Sequence, residues 1–227
     1  MIDLWTTLIP LAAATAILPI QVAVTILMVR SSGGRARAGA WIAGMSIVRL
    51  LQYAVFGVLL DRAMDDGDAT PSAVEGALLL LVAVFLLVSA GRKILDQPDE
   101  DAPPPRWMTI VGAVSPGRAF LMGAALVVLS PKLWAFTLGA IGAISHAQLA
   151  PVAGWLVFVV WVVAAEALHL AAWLAVVVAP EWADGVLVRA GAALERHSRR
   201  LMVAVGLVFG TWFLVKAFVA FGIGAAG

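Results

Sequence analysis

Leu129-Ser130-Pro131-Lys132-Leu133-Trp134 lies inside a run, Arg118 to Ile144, that is otherwise apolar or small and long enough to cross a bilayer. A proline there removes one helical hydrogen bond and blocks another. The adjacent lysine brings a full charge to the middle of the span, where insertion costs on the order of 3 kcal/mol. Two readings follow. In one, the span is kinked and Lys132 snorkels or pairs. In the other, the helix is broken, and its freed backbone groups and cation line a substrate cavity, because irregular backbone at membrane depth survives only where protein or water satisfies it. The second reading carries specific expectations. The carbonyls around Val127 and Val128 lose their donors, and Ser130, Pro131 and Lys132 form part of a site in which Lys132 anchors an anionic headgroup.

The rest of the chain is built for the same environment. Of its 227 residues 63% are hydrophobic and 13% charged, and the mean hydropathy is +1.00. That composition belongs to a membrane protein. A net charge of +1 gives no reason to expect nucleic acid as a partner. The absence of cysteine removes disulfides, thiol catalysis and thiolate metal sites.

Six apolar stretches, at about 4–29, 39–60, 73–95, 118–143, 152–179 and 200–222, each meet the roughly 20 residues a spanning helix needs. The first has small residues that a signal peptidase could accept, but no basic residue precedes it and its apolar run continues to Val29, so it reads as an uncleaved span. Loop charges set the orientation. Arg30, Arg35 and Arg37 follow span one; Arg92, Lys93, Arg106 and Arg118 separate spans three and four; Arg189, Arg196, Arg199 and Arg200 separate five and six. Arg62, among acidic residues, stands alone on the other side. The positive-inside rule then puts both termini outside, with 30–38, 96–117 and 180–199 in the cytoplasm.

Residues 96–106 are proline-rich and acidic and read as an extended linker. They divide the chain into halves 1–95 and 118–227, joined by 96–117. Three spans per half require the second half to enter the membrane inverted, the arrangement of many transporters. With an offset of 112, Ala12, Ala13, Pro19 and Ala23 fall on Ala124, Ala125, Pro131 and Ala135. The expected fold is therefore an all-α polytopic membrane protein of six transmembrane helices in two inverted three-helix repeats, with spans one and four broken near Pro19 and Pro131.

Polar residues inside the spans complete the candidate site. Arg49, Gln52 and Tyr53 share one helical face in span two, and Glu166 and His169 share one in span five. At 1.5 Å per residue Arg49 and Glu166 lie roughly 15 and 20 Å from the cytoplasmic ends of their spans, so they can meet. The pair either orients two helices or serves substrate and proton handling, with Glu166 and His169 as a possible relay. Glu-x-x-His is also a ligand spacing of di-iron bundles, but those need a second copy and further carboxylates, so no metal is expected. Lys216, near the outer end of span six, is expected to snorkel. Arg49, Lys132 and Lys216 against Glu166 leave an excess of positive charge at depth, which favours an anionic visitor. Ala40-x-x-x-Gly44 and Gly206-x-x-x-Gly210 permit close helix contact within the bundle, or a homodimer face. Trp5, Trp41, Trp107, Trp155 and Trp182 sit near span ends as interface anchors.

Ile17-Leu18-Pro19-Ile20-Gln21, the stretch from Arg35 to Gly44, and Ser130-Pro131-Lys132 resemble the lipid-addressing (GAP, or sulfolipid-addressing) proteins of the LysE exporter superfamily. The likeness covers nearly the whole chain. LysE-type amino acid exporters typically carry Asn-Pro-Lys where this chain has Ser130-Pro131-Lys132, and Gly-Pro where it has Leu18-Pro19; both departures favour the lipid-addressing branch. The resemblance implies export or translocation of a glycolipid or related cell-envelope lipid in an inner (plasma) membrane, and Gln21 of the matching stretch joins Pro19, the break of span one, at the candidate site.

Three functions fit these readings: a transporter of an anionic lipid or amphiphile, a LysE-like exporter of amino acids or small solutes, and an accessory protein that binds lipid without moving it. An enzyme is not expected, because no second carboxylate or nucleophile–base pair accompanies Glu166. No cofactor is implied, and ATP-binding motifs are missing from the chain.

Overall fold

The computed structural model describes residues 2–65, 70–95 and 111–222, and the regular elements among them are all helical. They run α1 (Ile2–Ala16), α2 (Pro19–Arg30), α3 (Gly34–Asp65), α4 (Pro71–Leu95), α5 (Pro116–Leu129), α6 (Pro131–His146), α7 (Pro151–Ala165), α8 (Ala167–Val178) and α9 (Pro180–Ala220). Proline opens six of these nine helices. Its missing N–H is one the first turn leaves unpaired anyway, and its fixed φ suits the helix, so proline here starts segments more than it interrupts them. Ser115 adds a side-chain cap to α5, its hydroxyl accepting from the Arg118 N–H at 3.4 Å.

Three stretches are long and apolar enough to cross a membrane unbroken: Gly34–Leu60, Ser72–Leu95 and Arg196–Ala220. Three further spans are bent pairs, α1 with α2 at 55°, α5 with α6 at 74° and α7 with α8 at 66°. With each pair taken as one span there are six, and the chain is a polytopic helical membrane protein.

Two bends fall at Pro19 and Pro131, as expected. The third corrects the reading of span five as continuous: α7 stops at Ala165, and Glu166, at φ −104° and ψ 11°, caps it and starts α8. The basic stretch 180–199 is also not a loop. It forms the first half of α9, a 41-residue helix of roughly 60 Å against a hydrocarbon core of roughly 30 Å. Arg199 fixes its passage beside span three by donating from Nε and Nη2 to the Lys93 and Ile94 carbonyls, at 2.9 and 3.1 Å, at the end of α4. The linker reading for 96–106 and the anchor reading for Trp107 fall on 96–110, outside the described residues.

Packing follows the small residues. A Cβ built on Gly44 would collide with the Phe120 carbonyl, and one on Gly123 with the Trp41 carbonyl, so α3 and α5 cross backbone to backbone. A Cβ on Gly206 would lie 2.7 Å from the Ala90 Cβ, and one on Gly210 2.8 Å from Leu87 Cγ, which joins α9 to α4. Both small-residue stripes therefore face partners within the chain. Between these seams Leu8, Leu11, Met45, Leu79, Leu86 and Phe136 are buried at the centre. In lipid such close packing, more than the hydrophobic effect, holds helices together.

Candidate substrate site

The two proline breaks lie beside one lateral groove. Ile20 and Val24 of α2 form one wall, Met122, Ala125, Leu126 and Leu129 of α5 the other, with Trp41 behind, and the volume is about 430 Å³. Ser130 lines the end of this groove. Ile20 and Leu129 are 56% and 77% exposed, so its mouth faces the lipid side of the bundle. Pro19 itself is buried, one residue before the wall begins.

The backbone freed by Pro131 is met in a different way from the expectation. The indole Nε1 of Trp134 donates to the Val128 carbonyl at 2.7 Å, and Trp134 is held edge-on against Phe56 of α3 at 5.3 Å. A side chain six residues on thus stands in for the Lys132 N–H that an unbroken helix would supply to Val128, and this carbonyl does not call for water. Lys132 follows directly on the break. It is half-buried, and among the described residues it has neither an ion pair nor a hydrogen bond.

A polar cluster lies behind the groove between α2, α3 and the break of span five. Arg49 and Glu166, 0% and 1% exposed, approach with Nε and Oε1 3.5 Å apart. Ser46 donates to Glu166 Oε2 at 2.6 Å. His169 Nδ1 lies 3.0 Å from Thr25 Oγ1, and Trp41 Nε1 donates to the same hydroxyl at 3.1 Å. Arg49 also stands over the Trp161 ring, its Cζ 5.7 Å from the centroid. Arg49 and Glu166 are charge-paired without a well-formed hydrogen bond: all three guanidinium nitrogens and Glu166 Oε1 have no hydrogen-bond partner among the described residues. Gln21 Oε1, both amide atoms of Gln52, Trp161 Nε1 and His169 Nε2 share that condition. Buried polar atoms left this way are costly unless something polar meets them, which makes the cluster a candidate site.

The sequence-selected residues divide accordingly. Gln21, Arg49, Gln52, Glu166 and His169 are buried polar groups on the segments that meet at this cluster; Ser130 lines the groove, and Pro19, Pro131 and Lys132 flank it. Tyr53 goes elsewhere, stacking on Phe158 at 4.4 Å and edge-on to Trp155 at 4.7 Å. Trp41 is not an interface anchor. It is 2% exposed and bridges groove and cluster, whereas Trp5, Trp155 and Trp182 are 36%, 40% and 64% exposed. Thr25 was not singled out by sequence, since a lone threonine in an apolar span commonly bonds the preceding turn, as Thr25 does to the Gln21 carbonyl at 3.0 Å.

Lys216 lies apart from both. Its Nζ donates to Thr6 Oγ1 at 2.8 Å at the edge of an open cavity of about 470 Å³ that Asp3, Ser72, Glu75 and His146 also line. His146 Nδ1 meets Glu75 Oε2 there. The positive excess at depth therefore reduces to Lys132. Among the described residues no group of three or more His, Cys, Asp and Glu could hold a metal.

A family model described as Sap, sulfolipid-1-addressing protein, matches residues 8–218, which take in the groove and the whole polar cluster. The chain belongs to the Sap family. Neither a curated protein nor a solved structure shows a match to it. In this Sap-family chain the matched stretch runs from α1 to the last turns of α9, so the breaks, the groove and the cluster all lie within it.

Proposed function

We propose that the protein binds an anionic cell-envelope lipid or related amphiphile and moves it across the inner membrane, as an exporter built like those of the LysE superfamily. The observation that carries this reading is the lateral apolar groove between the two proline breaks, with the unpaired Lys132 two residues beyond its last lining residue. An acyl chain suits walls of Ile, Val, Met, Ala and Leu, and a lysine supplies a point charge for a headgroup. The family description speaks of addressing a sulfolipid, which is an anionic amphiphile. Val111 and Trp41 line the groove toward the basic end of the bundle, the end that the positive-inside rule assigns to the cytoplasm.

Inverted repeats over 1–95 and 118–227 belong to the same proposal. Spans one and four both bend at proline, by 55° and 74°. Their contacts also correspond: α1 packs on α7 as α5 packs on α3, and α4 packs on α6 as α9 packs on α2. Spans two and five depart from the symmetry, since only five is broken.

Ala125→Phe fills the groove from a position where the added ring has open space before it. In proteoliposomes carrying a fluorescent phosphatidylglycerol, this variant should lower the rate at which the label crosses by about tenfold or more, the equivalent of roughly 1.4 kcal/mol. Lys132→Ala should do the same, and Lys132→Arg should retain part of the rate. Wild-type rates in folded Ala125→Phe and Lys132→Ala proteins would rule the groove out as the path.

A further inference from the structure

We propose that the polar cluster is a proton site coupled to the groove through Trp41 and Thr25, so that an anionic amphiphile binds together with one proton held at His169. This rests on the groove being the amphiphile site and names its coupling ion.

Trp41 belongs to both structures. Its ring closes the back of the groove, and its Nε1–H donates to Thr25 Oγ1 at 3.1 Å, which lies 3.0 Å from His169 Nδ1. The proton count at Thr25 shows what this chain can do. A threonine hydroxyl offers one hydrogen and two acceptor positions, and indole nitrogen only donates, so one acceptor position always serves Trp41. When His169 is neutral with a lone pair on Nδ1, the Thr25 hydrogen is directed to the imidazole. When His169 is charged, Nδ1–H donates to the second acceptor position, and the Thr25 hydrogen turns to the Gln21 carbonyl, 3.0 Å away. Thr25 satisfies Nδ1 in both states and needs only to rotate its hydroxyl. At the other ring nitrogen, Nε2 has no hydrogen-bond partner, and Glu166 Oε1 and Gln21 Oε1 are acceptors in the same condition.

Charge decides the direction of coupling. His169 meets Thr25 of α2, whose hydroxyl also meets Trp41 of α3 and the Gln21 carbonyl, and the charged residues of the cluster are Arg49 of α3 and Glu166 at the head of its own helix, with Ser46 on the carboxylate. From α9 the first charged residues, Glu181, Asp184 and Arg189, are exposed, and Asp184 pairs with Arg30 at 3.0 Å. The only described charged residue of α1 is Asp3, at its far end. Arg49 and Glu166 cancel, so the cluster is neutral with neutral His169 and carries +1 with His169 charged. A fixed positive charge there is opposed by Arg49 and favoured by an anion in front of Trp41. By linkage, the anion raises proton affinity and the proton raises anion affinity by the same factor. The groove lining has no Asp, Glu or His, and of the groups placed around groove and cluster His169 is the one whose ordinary range of charge change lies between pH 5 and 8.

The test is binding of dioctanoyl phosphatidylglycerol, whose phosphodiester charge is fixed, to the full chain in phosphatidylcholine nanodiscs at pH about 7.5 and about 5, the range in which histidine switches charge. Wild-type protein should bind about five- to tenfold more tightly at the lower pH, with dioctanoyl phosphatidylcholine showing no such change. Thr25→Val and His169→Gln should each abolish the pH effect, and Thr25→Ser, which keeps the hydroxyl, should retain it. A pH effect that persists in folded Thr25→Val or in His169→Gln overturns the inference, as does wild-type binding that ignores pH. Absence of phosphatidylglycerol binding at either pH would instead overturn the groove reading, and this inference with it.

Discussion

Glu166→Gln is expected to destabilise the protein by roughly 3–5 kcal/mol, the cost of stranding one charge of a desolvated pair. Arg49 is fully buried, and among the described residues Glu166 is the only acidic group paired with it. Among the described residues Arg49 has no hydrogen-bond acceptor, so attraction to Glu166, with the Trp161 ring beside it, is what offsets its desolvation. Glutamine keeps the shape and can still accept from Ser46, but it removes that attraction. The double exchange Arg49→Glu, Glu166→Arg restores neutrality at imperfect geometry and should cost less than Glu166→Gln alone. Thermal unfolding in detergent reads both. A Glu166→Gln protein that melts with the wild type would mean the pair contributes nothing.

Gly123→Leu should be comparably damaging for a steric reason. The first side-chain atom added at Gly123 meets the Trp41 carbonyl, and one added at Gly44 meets the Phe120 carbonyl, so the obstacles are backbone and cannot rotate away. Separating α3 from α5 should cost roughly 3 kcal/mol or more and should displace Trp41 from the back of the groove. Gly117, also in α5, has nothing within 4 Å of an added Cβ. Gly117→Ala is therefore the control, expected to be neutral or slightly stabilising. Equal melting of the Gly123 and Gly117 variants would contradict the close crossing.

The contrast between spans four and five shows what the sequence makes legible. Pro19 and Pro131 announce their breaks because the missing N–H and the ring clash are local and act in any context. The break at Glu166 has no proline or glycine beside it. It depends on where the carboxylate goes, toward Ser46 and Arg49 more than a hundred positions earlier in the chain, and local rules do not contain that contact. The meeting of Arg49 and Glu166 was nevertheless readable, because charges at similar depth in lipid have few other partners. Trp41 was misread for the same reason that Glu166 was incomplete: near a span end tryptophan generally marks the interface, and only the bend of α2 brings Thr25 beneath its indole. The helical first half of α9 was hidden by its charge. Arginine and glutamate there read as a solvated connection, yet both are good helix formers, and Arg199 finds the α4 carbonyls.

The central claim is that an anionic amphiphile occupies the groove between the breaks, and lipid crosslinking tests it most directly. A photoreactive benzophenone side chain is placed at Met122, inside the groove, or at Leu121, its neighbour, which is 65% exposed and outside it. In membranes of mixed phosphatidylcholine and phosphatidylglycerol, the Met122 probe should capture phosphatidylglycerol in excess of its share, and Lys132→Ala should remove that excess, whereas the Leu121 probe should report the bulk mixture. The same lipid mixture captured at both positions, unchanged by Lys132→Ala, would contradict the account.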